Sequence, residues 1–420
     1  MAALLRLSHS RCMAGYRTAL QVREFRGILA AYLISVLGDT CAYLAVTVLI
    51  YQRSRSPLLS SLTFAVAFTP QILGGTLLSG LVDRLRPKSI LVGFDIAAAG
   101  LVCLMLIPRT PIAGLYGVLI VIGTLSPVRS GTLQAVVADA LPGDAYVAGR
   151  SAMRIVVMTA QVVGLGFAGA LVSTIGPRGA LTVDVGSFLA SAAVGLINLK
   201  PRAARGAQGN LLLDSLRGVG AVWRQREPRR LLLLSWLLLF VAVAPEGLGA
   251  VAVAQSGHSL VLVGVWMGVI PAGVVVGDLI AVALLSPRLR QRLVVPLATA
   301  LGLALLAFAL QPPLPIALAL LTVSGLSAAW SPGVDQQLRE ATDPALLRRT
   351  LTVNQAGTMV IQGLGFAAAG SLGEVMSANA AIAVTGAVGL ISVIALGRPA
   401  ASERTKTAPA PSEAGAHEPA

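Results

Sequence analysis

The chain has 420 residues, 55% hydrophobic and only 12% charged, with a mean hydropathy of +0.80. A soluble domain carries about 25% charged residues, so the composition excludes an ordinary soluble fold and places the chain in a bilayer. The net charge of +14 comes from 29 Arg and 3 Lys against 18 acidic residues. These basic residues punctuate apolar runs and form no stripe on a polar module, which excludes nucleic acid as the partner.

In chain order, residues 1–26 read as a cytosolic N-terminal tail with five arginines and too short an apolar run for a signal peptide. A helix needs about 20 apolar residues to cross the hydrocarbon. Six such spans are predicted at 27–50, 58–82, 89–108, 111–134, 152–173 and 179–198, forming an N-terminal bundle over 27–200. A polar cytosolic linker follows at 201–230. A second bundle over 231–397 holds spans at 231–253, 259–284, 292–310, 313–333, 349–372 and 376–397. Residues 398–420, rich in Ala, Pro and Glu, form a disordered cytosolic tail. The predicted fold is an all-α integral membrane bundle of twelve helices in a 6+6 repeat.

The repeat has an echo in the residues themselves. Gly-Leu-Gly-Phe-Ala occurs at Gly164 to Ala168 and again at Gly363 to Ala367, and Arg150 has its counterpart in Arg349 at the same offset. Ser126-Pro127 returns as Ser331-Pro332. Tandem similar bundles are a common plan of secondary transporters. The loops set the orientation. With the N-terminus inside, 27 basic residues fall in cytosolic segments, and only Arg53, Arg55, Arg109 and Arg178 fall outside. The positive-inside rule therefore puts both termini in the cytosol of a multi-pass protein of the cytoplasmic membrane.

Charges within spans are expensive and mark function. Asp39, Glu246 and Asp184 are the candidates for proton coupling, and Arg129 is an interior cation that needs a partner. Asp95 and Asp278 also fall in spans but read more simply as pairing or span-end residues. Amides are costly in lipid, so Gln71, Gln161, Asn354, Gln355 and Gln362 are expected along the substrate path. Together with long apolar spans they suggest a largely apolar cavity with few polar anchors. No phosphate-binding loop of the Gly-x-x-x-x-Gly-Lys type is present, and His9, His258 and His417 show no metal-ligand spacing. Cys12, Cys41 and Cys103 offer no disulfide framework. The chain reads as a non-enzyme without cofactor, its partners a small-molecule substrate, a proton and the lipid bilayer, and it is expected to work as a monomer.

Between the second and third spans lies Gly80-Leu81-Val82-Asp83-Arg84-Leu85-Arg86-Pro87-Lys88. Gly-x-x-Asp-Arg followed by a basic cluster resembles the signature loop of the major facilitator superfamily, and the twelve spans and basic linker are similar to that family too. The resemblance implies a cytosolic gate in which Asp83, Arg84, Arg86 and Lys88 latch the loop against the opposite half. Leu37-Gly38-Asp39, Ser126-Pro127-Val128-Arg129 and Asp184 with Phe188 resemble the drug-efflux branch that contains macrolide and siderophore exporters. Proton-coupled export of hydrophobic or amphiphilic compounds by alternating access is the function this implies. An importer, or a metabolite or siderophore exporter of the same fold, is the alternative. Leu165 stands where exporters often carry Pro in the fifth span.

Overall fold

A computed structural model of the chain describes residues 17–71, 74, 85–141, 144–203, 223–343 and 346–397. The described residues are helical nearly throughout. Helix α1 (Arg23–Ser54) starts with Glu24 in its first turn and ends where Arg55 turns left-handed at φ 55°, returning its N–H to the Tyr51 carbonyl. Ser56 then caps α2 (Pro57–Phe68), accepting the Leu59 N–H, with Pro57 at the first position where a missing donor costs nothing. Residues 72–73 and 75–84, the rest of the predicted span 58–82, lie outside the described residues. Helices α3 (Pro87–Leu106), α4 (Ile112–Ala140) and α5 (Asp144–Asn198) follow. The 55-residue α5 is two arms joined at Gly176, whose φ of 75° is open to glycine at no steric cost, with Pro177 next to it. The arms correspond to the spans predicted at 152–173 and 179–198.

The predicted span 231–253 is broken into α6 (Arg226–Ala242), α7 (Ala244–Gly247) and α8 (Gly249–Gln255). Pro245 has no N–H to give to the ladder, which weakens the helix at the first of these breaks. Next come α9 (Val261–Leu284) and α10 (Pro287–Leu306), the latter continued by a 3₁₀ turn at Ala307–Leu310. Helices α11 (Leu314–Ser327) and α12 (Ser331–Ala341) are joined through a second 3₁₀ turn at Ala328–Trp330. Helices α13 (Leu347–Val375) and α14 (Ala378–Leu396) complete the chain. Among the described residues nine helical stretches are long and apolar enough to cross a bilayer. Several outrun the predicted spans: α1 begins at Arg23, inside the predicted tail, α4 runs to Ala140, and α6 begins at Arg226, inside the predicted linker. Helical hydrogen bonding is indifferent to the edge of the hydrocarbon, and hydropathy sees only that edge. Outward-facing apolar side chains such as Leu284, Leu310 and Ile394 are exposed, as a lipid-facing surface requires.

Close helix approaches recur along the chain. Gly74 lies on the Thr124 carbonyl and Gly123 on that of Ala67; Gly277 lies on the Leu326 carbonyl and Gly325 on that of Ile270. The same crossing is thus built twice, about 200 positions apart. The echoed phrase itself is out of step with this symmetry. Gly164 packs on Leu37 and Thr40 of α1, whereas Gly363 packs on Ala65 and Thr69 of α2; it is Gly365, on Phe240 and Val243 of α6, that mirrors Gly164.

Residues 17–203 meet 223–397 along two helix pairs. Gly169 of α5 touches Gly264 of α9, and α13 runs antiparallel to α2, with Gly363 at Thr69, Gly370 at Ser61 and Gly373 at Pro57. Helix α13 is parallel to α6, since Gly357 lies on Trp236 and Gly373 on Leu248. The starts of α1, α6 and α13 and the ends of α5 and α14 therefore share one end of the molecule, here the terminal face. The turns at Arg55 and Met376 mark the far face.

Candidate functional site

A cavity of about 1060 Å³ lies between the two parts of the chain. Helix α1 contributes Tyr32, Val36, Asp39, Thr40 and Tyr43, spaced by three and four so that they form one helix face. Helix α13 does the same with Leu351, Gln355, Met359, Gln362 and Phe366. Gln71, Arg129, Gln161 and Glu246 complete the polar lining together with Ser126 and Ser130. On α1 and α13 the lining residues come from the terminal-face part of each helix and stop at Tyr43 and Phe366.

At the deep end the rings of Phe64 and Phe366 stack with centroids 4.8 Å apart. Phe68 lies 6.4 Å from Phe366 and 6.3 Å from Tyr43. This aromatic stack joins α1 and α2 to α13 and floors the cavity. Sequence reasoning missed it, although Phe64 and Phe68, four apart in an apolar run, carry the helical spacing that would have pointed to it.

Arg129 has its partner. Its Nε donates to Asp95 Oδ1 at 3.1 Å, and Ser191 Oγ donates to Asp95 Oδ2 at 2.5 Å. The guanidinium also lies 5.3 Å from the Phe94 ring centroid and 5.9 Å from that of Tyr32. Of the two readings left open for Asp95, pairing or span end, the structure shows pairing. Asp39 and Glu246 both line the cavity, and neither forms an ion pair with a described residue. Glu246 sits at the helix break made by its neighbour Pro245.

Two candidates are placed elsewhere. Asp184 is 1% exposed and lies off the cavity, its carboxylate against Gly38 and accepting from Ser187 Oγ at 3.2 Å. Its helix face turns to α1, where the missing side chain of Gly38 leaves room for it. Asn354 does not line this cavity; its Oδ1 accepts the Trp236 indole N–H at 3.1 Å, fastening α13 to α6. Gln71, Gln161, Gln355 and Gln362 do line the cavity. These amides, hydroxyls and charges stand along a wall that is otherwise apolar.

Of the signature loop, Asp83 and Arg84 lie outside the described residues. Arg86 is exposed just ahead of α3. Lys88 does not reach across to the other half: its ammonium donates to the Leu196 and Leu199 carbonyls at 2.6 and 3.1 Å, capping the C-terminal end of α5 in its own half. A neighbouring clamp also went unread. Arg202 bonds both Glu24 oxygens, at 2.6 and 2.9 Å, and lies 3.7 Å from Asp139. The hydrogen bond it donates to Glu24 holds the Arg202 guanidinium above its ordinary pKa. No group of three metal-ligating side chains occurs among the described residues.

The profile of the Major Facilitator Superfamily matches residues 28–332. The chain belongs to this superfamily. Its fold is that of solved transporters of the class. A variant of the nucleoside transporter NupG superposes with a TM-score of 0.74 at 13% identity, over 89% of this chain and 98% of that one. The POT family transporter PepTSo gives 0.67 at 10% identity, over 90% and 97%. A bacterial homolog of the human lysosomal transporter Spinster, inward-facing and unoccupied, gives 0.66 at 15% identity, over 91% and 94%. At such identities the likeness is one of fold. Comparison with curated protein sequences finds no match.

Proposed function

We propose that this superfamily member is a secondary active transporter that moves a small polar organic solute, coupled to protons, by alternating access between two six-helix bundles. The observation that carries the reading is the cavity between the halves with two carboxyls, Asp39 and Glu246, that no described cation pairs. An ionised carboxylate is costly in low dielectric without a counter-charge, so a proton or a cationic group of the substrate is its natural partner. Arg129, already matched by Asp95, stands on the same cavity wall as Asp39 without being its ion-pair partner. Asp184 acts behind Asp39, on which it bears through space, and not at the cavity wall. Asp83 with Arg84 and Arg86 remains the proposed terminal-face gate, and the basic bias of the loops supports a cytosolic terminal face.

The drug-efflux reading, with macrolide-like compounds as cargo and antiport as the mode, is the weaker of the two. A nucleoside transporter and a peptide transporter stand among the similar structures. The amide belt of Gln71, Gln161, Gln355 and Gln362 supplies hydrogen bonds that a purely hydrophobic drug would leave unmet. The aromatic floor suits a ring. A metabolite carrying a planar ring and hydrogen-bonding groups meets both.

The test is solute movement in proteoliposomes under an imposed pH gradient, with nucleosides, dipeptides and lipophilic cations compared. Asp39→Asn is expected to abolish uphill movement while leaving substrate exchange intact, after normalisation to folded protein. Undiminished pH-driven accumulation with Asn at 39 rules it out as the coupling group and moves the role to Glu246. Movement of lipophilic cations alone restores the efflux reading.

A further inference from the structure

Most contact between residues 17–203 and 223–397 is made by small residues and apolar side chains. Among the described side chains, few hydrogen bonds are seen to cross the boundary. Where both partners are described, the side-chain hydrogen bonds that cross it end on one residue, Glu374, in the last turn of α13. Its Oε1 accepts the Leu58 N–H at 3.1 Å and also the Ser56 hydroxyl. Ser56 is the N-cap of α2, Pro57 has no N–H, and Leu58 offers the first free backbone donor. Glu374 therefore sits on the N-terminus of a helix of the other half, where orphan donors and the helix dipole favour a carboxylate.

The location is as informative as the chemistry. The contact closes the far face, above the aromatic floor of the cavity. Just beneath it Gly373 meets Pro57 and Gly370 meets Ser61, too close for any side chain. The cavity reaches toward the terminal face, away from this contact. Glu374 is exposed, so the contact breaks without leaving a charge stranded in the protein, and an exposed pair of this kind is weak enough to be reversible.

We propose that Glu374 is a positioning residue of alternating access: its carboxylate, docked on the N-terminus of α2, holds the far face shut, and its release is a step in opening toward that face. The inference rests on the transport reading only in that a barrier must move.

The experiment reads the barrier directly and needs no substrate. In a background with Cys12, Cys41 and Cys103 replaced by Ser, a single cysteine is placed at Ala356 on the cavity wall. Its alkylation by a membrane-impermeant maleimide is timed from each face in oriented vesicles. Glu374→Ala is expected to raise far-face labelling about tenfold, equivalent to about 1.4 kcal/mol, and to lower labelling from the terminal face. Glu374→Gln keeps an acceptor oxygen without the charge and is expected to give a smaller rise. A residue of purely structural importance would change the yield of protein, not the ratio of labelling between faces. Parent-like labelling ratios in Glu374→Ala overturn the proposal. Should that variant fold poorly, unchanged ratios in both Glu374→Gln and Ser56→Ala overturn it. Failure of the transport reading would appear separately, as a parent protein that moves no solute yet labels normally.

Discussion

Arg129 and Asp95 form a buried ion pair beside the cavity, and its strength is measurable. The two side chains are 13% and 6% exposed, so each lacks the water that would stabilise it alone. Breaking a buried pair by removing one partner costs about 3–5 kcal/mol, because a charge is stranded. Here Arg129 touches the cavity and keeps its ring contacts with Phe94 and Tyr32, which places the cost near the lower end. Asp95→Asn keeps an acceptor for Ser191 but loses the charge; it is expected to destabilise by about 3 kcal/mol. Arg129→Gln is expected to cost a similar amount. The double variant strands no charge and should cost little more than either single change, giving a coupling energy of about 2–3 kcal/mol. The assay is equilibrium unfolding in mixed detergent micelles followed by far-ultraviolet ellipticity. Tryptophan fluorescence is unsuited, because Trp223, Trp236, Trp266 and Trp330 all lie in the second half, away from the pair. Additivity of the two single changes within about 0.5 kcal/mol would refute the reasoning. It would mean that the two groups stabilise the fold independently, and that Arg129 does not depend on Asp95 for its counter-charge.

Two further predictions follow from the placement of single residues. Asn354→Ala strands the Trp236 indole N–H and should destabilise by about 1–3 kcal/mol while leaving substrate affinity within about twofold; a large loss of affinity in equilibrium binding to stable protein would return Asn354 to the substrate path. Cysteines at positions 53 and 178 should react with an impermeant reagent outside intact cells, and cysteines at 86 and 224 should not; external labelling of the latter pair would reverse the orientation.

What was legible in the sequence divides along a physical line. Apolar length fixes where a chain can cross a bilayer, and the helices fall on the apolar runs. A buried guanidinium must find a partner, so the need of Arg129 for one could be read from its place in a span, while which acid supplies it, Asp95, could not. Rotation of each helix about its axis could not. In a soluble helix the apolar stripe shows which side faces in. In a membrane helix lipid and protein interior are equally apolar, and the stripe disappears. Asn354 and Gln355 illustrate the consequence. They are adjacent amides in one apolar helix, and sequence gives no reason to separate them. One turns to the cavity and the other to Trp236. Asp39 and Asp184 divide in the same way, one on the cavity wall and one sealed behind Gly38. Glu374 shows the opposite limit. It follows the apolar run of α13 and reads as an ordinary polar residue at a span end, with nothing local to distinguish it. Its partners, Ser56 and Leu58, lie more than 300 positions earlier. Only the antiparallel docking of α13 on α2 brings the carboxylate to the one kind of place, a helix N-terminus, where an exposed acid at a span end becomes a contact between halves.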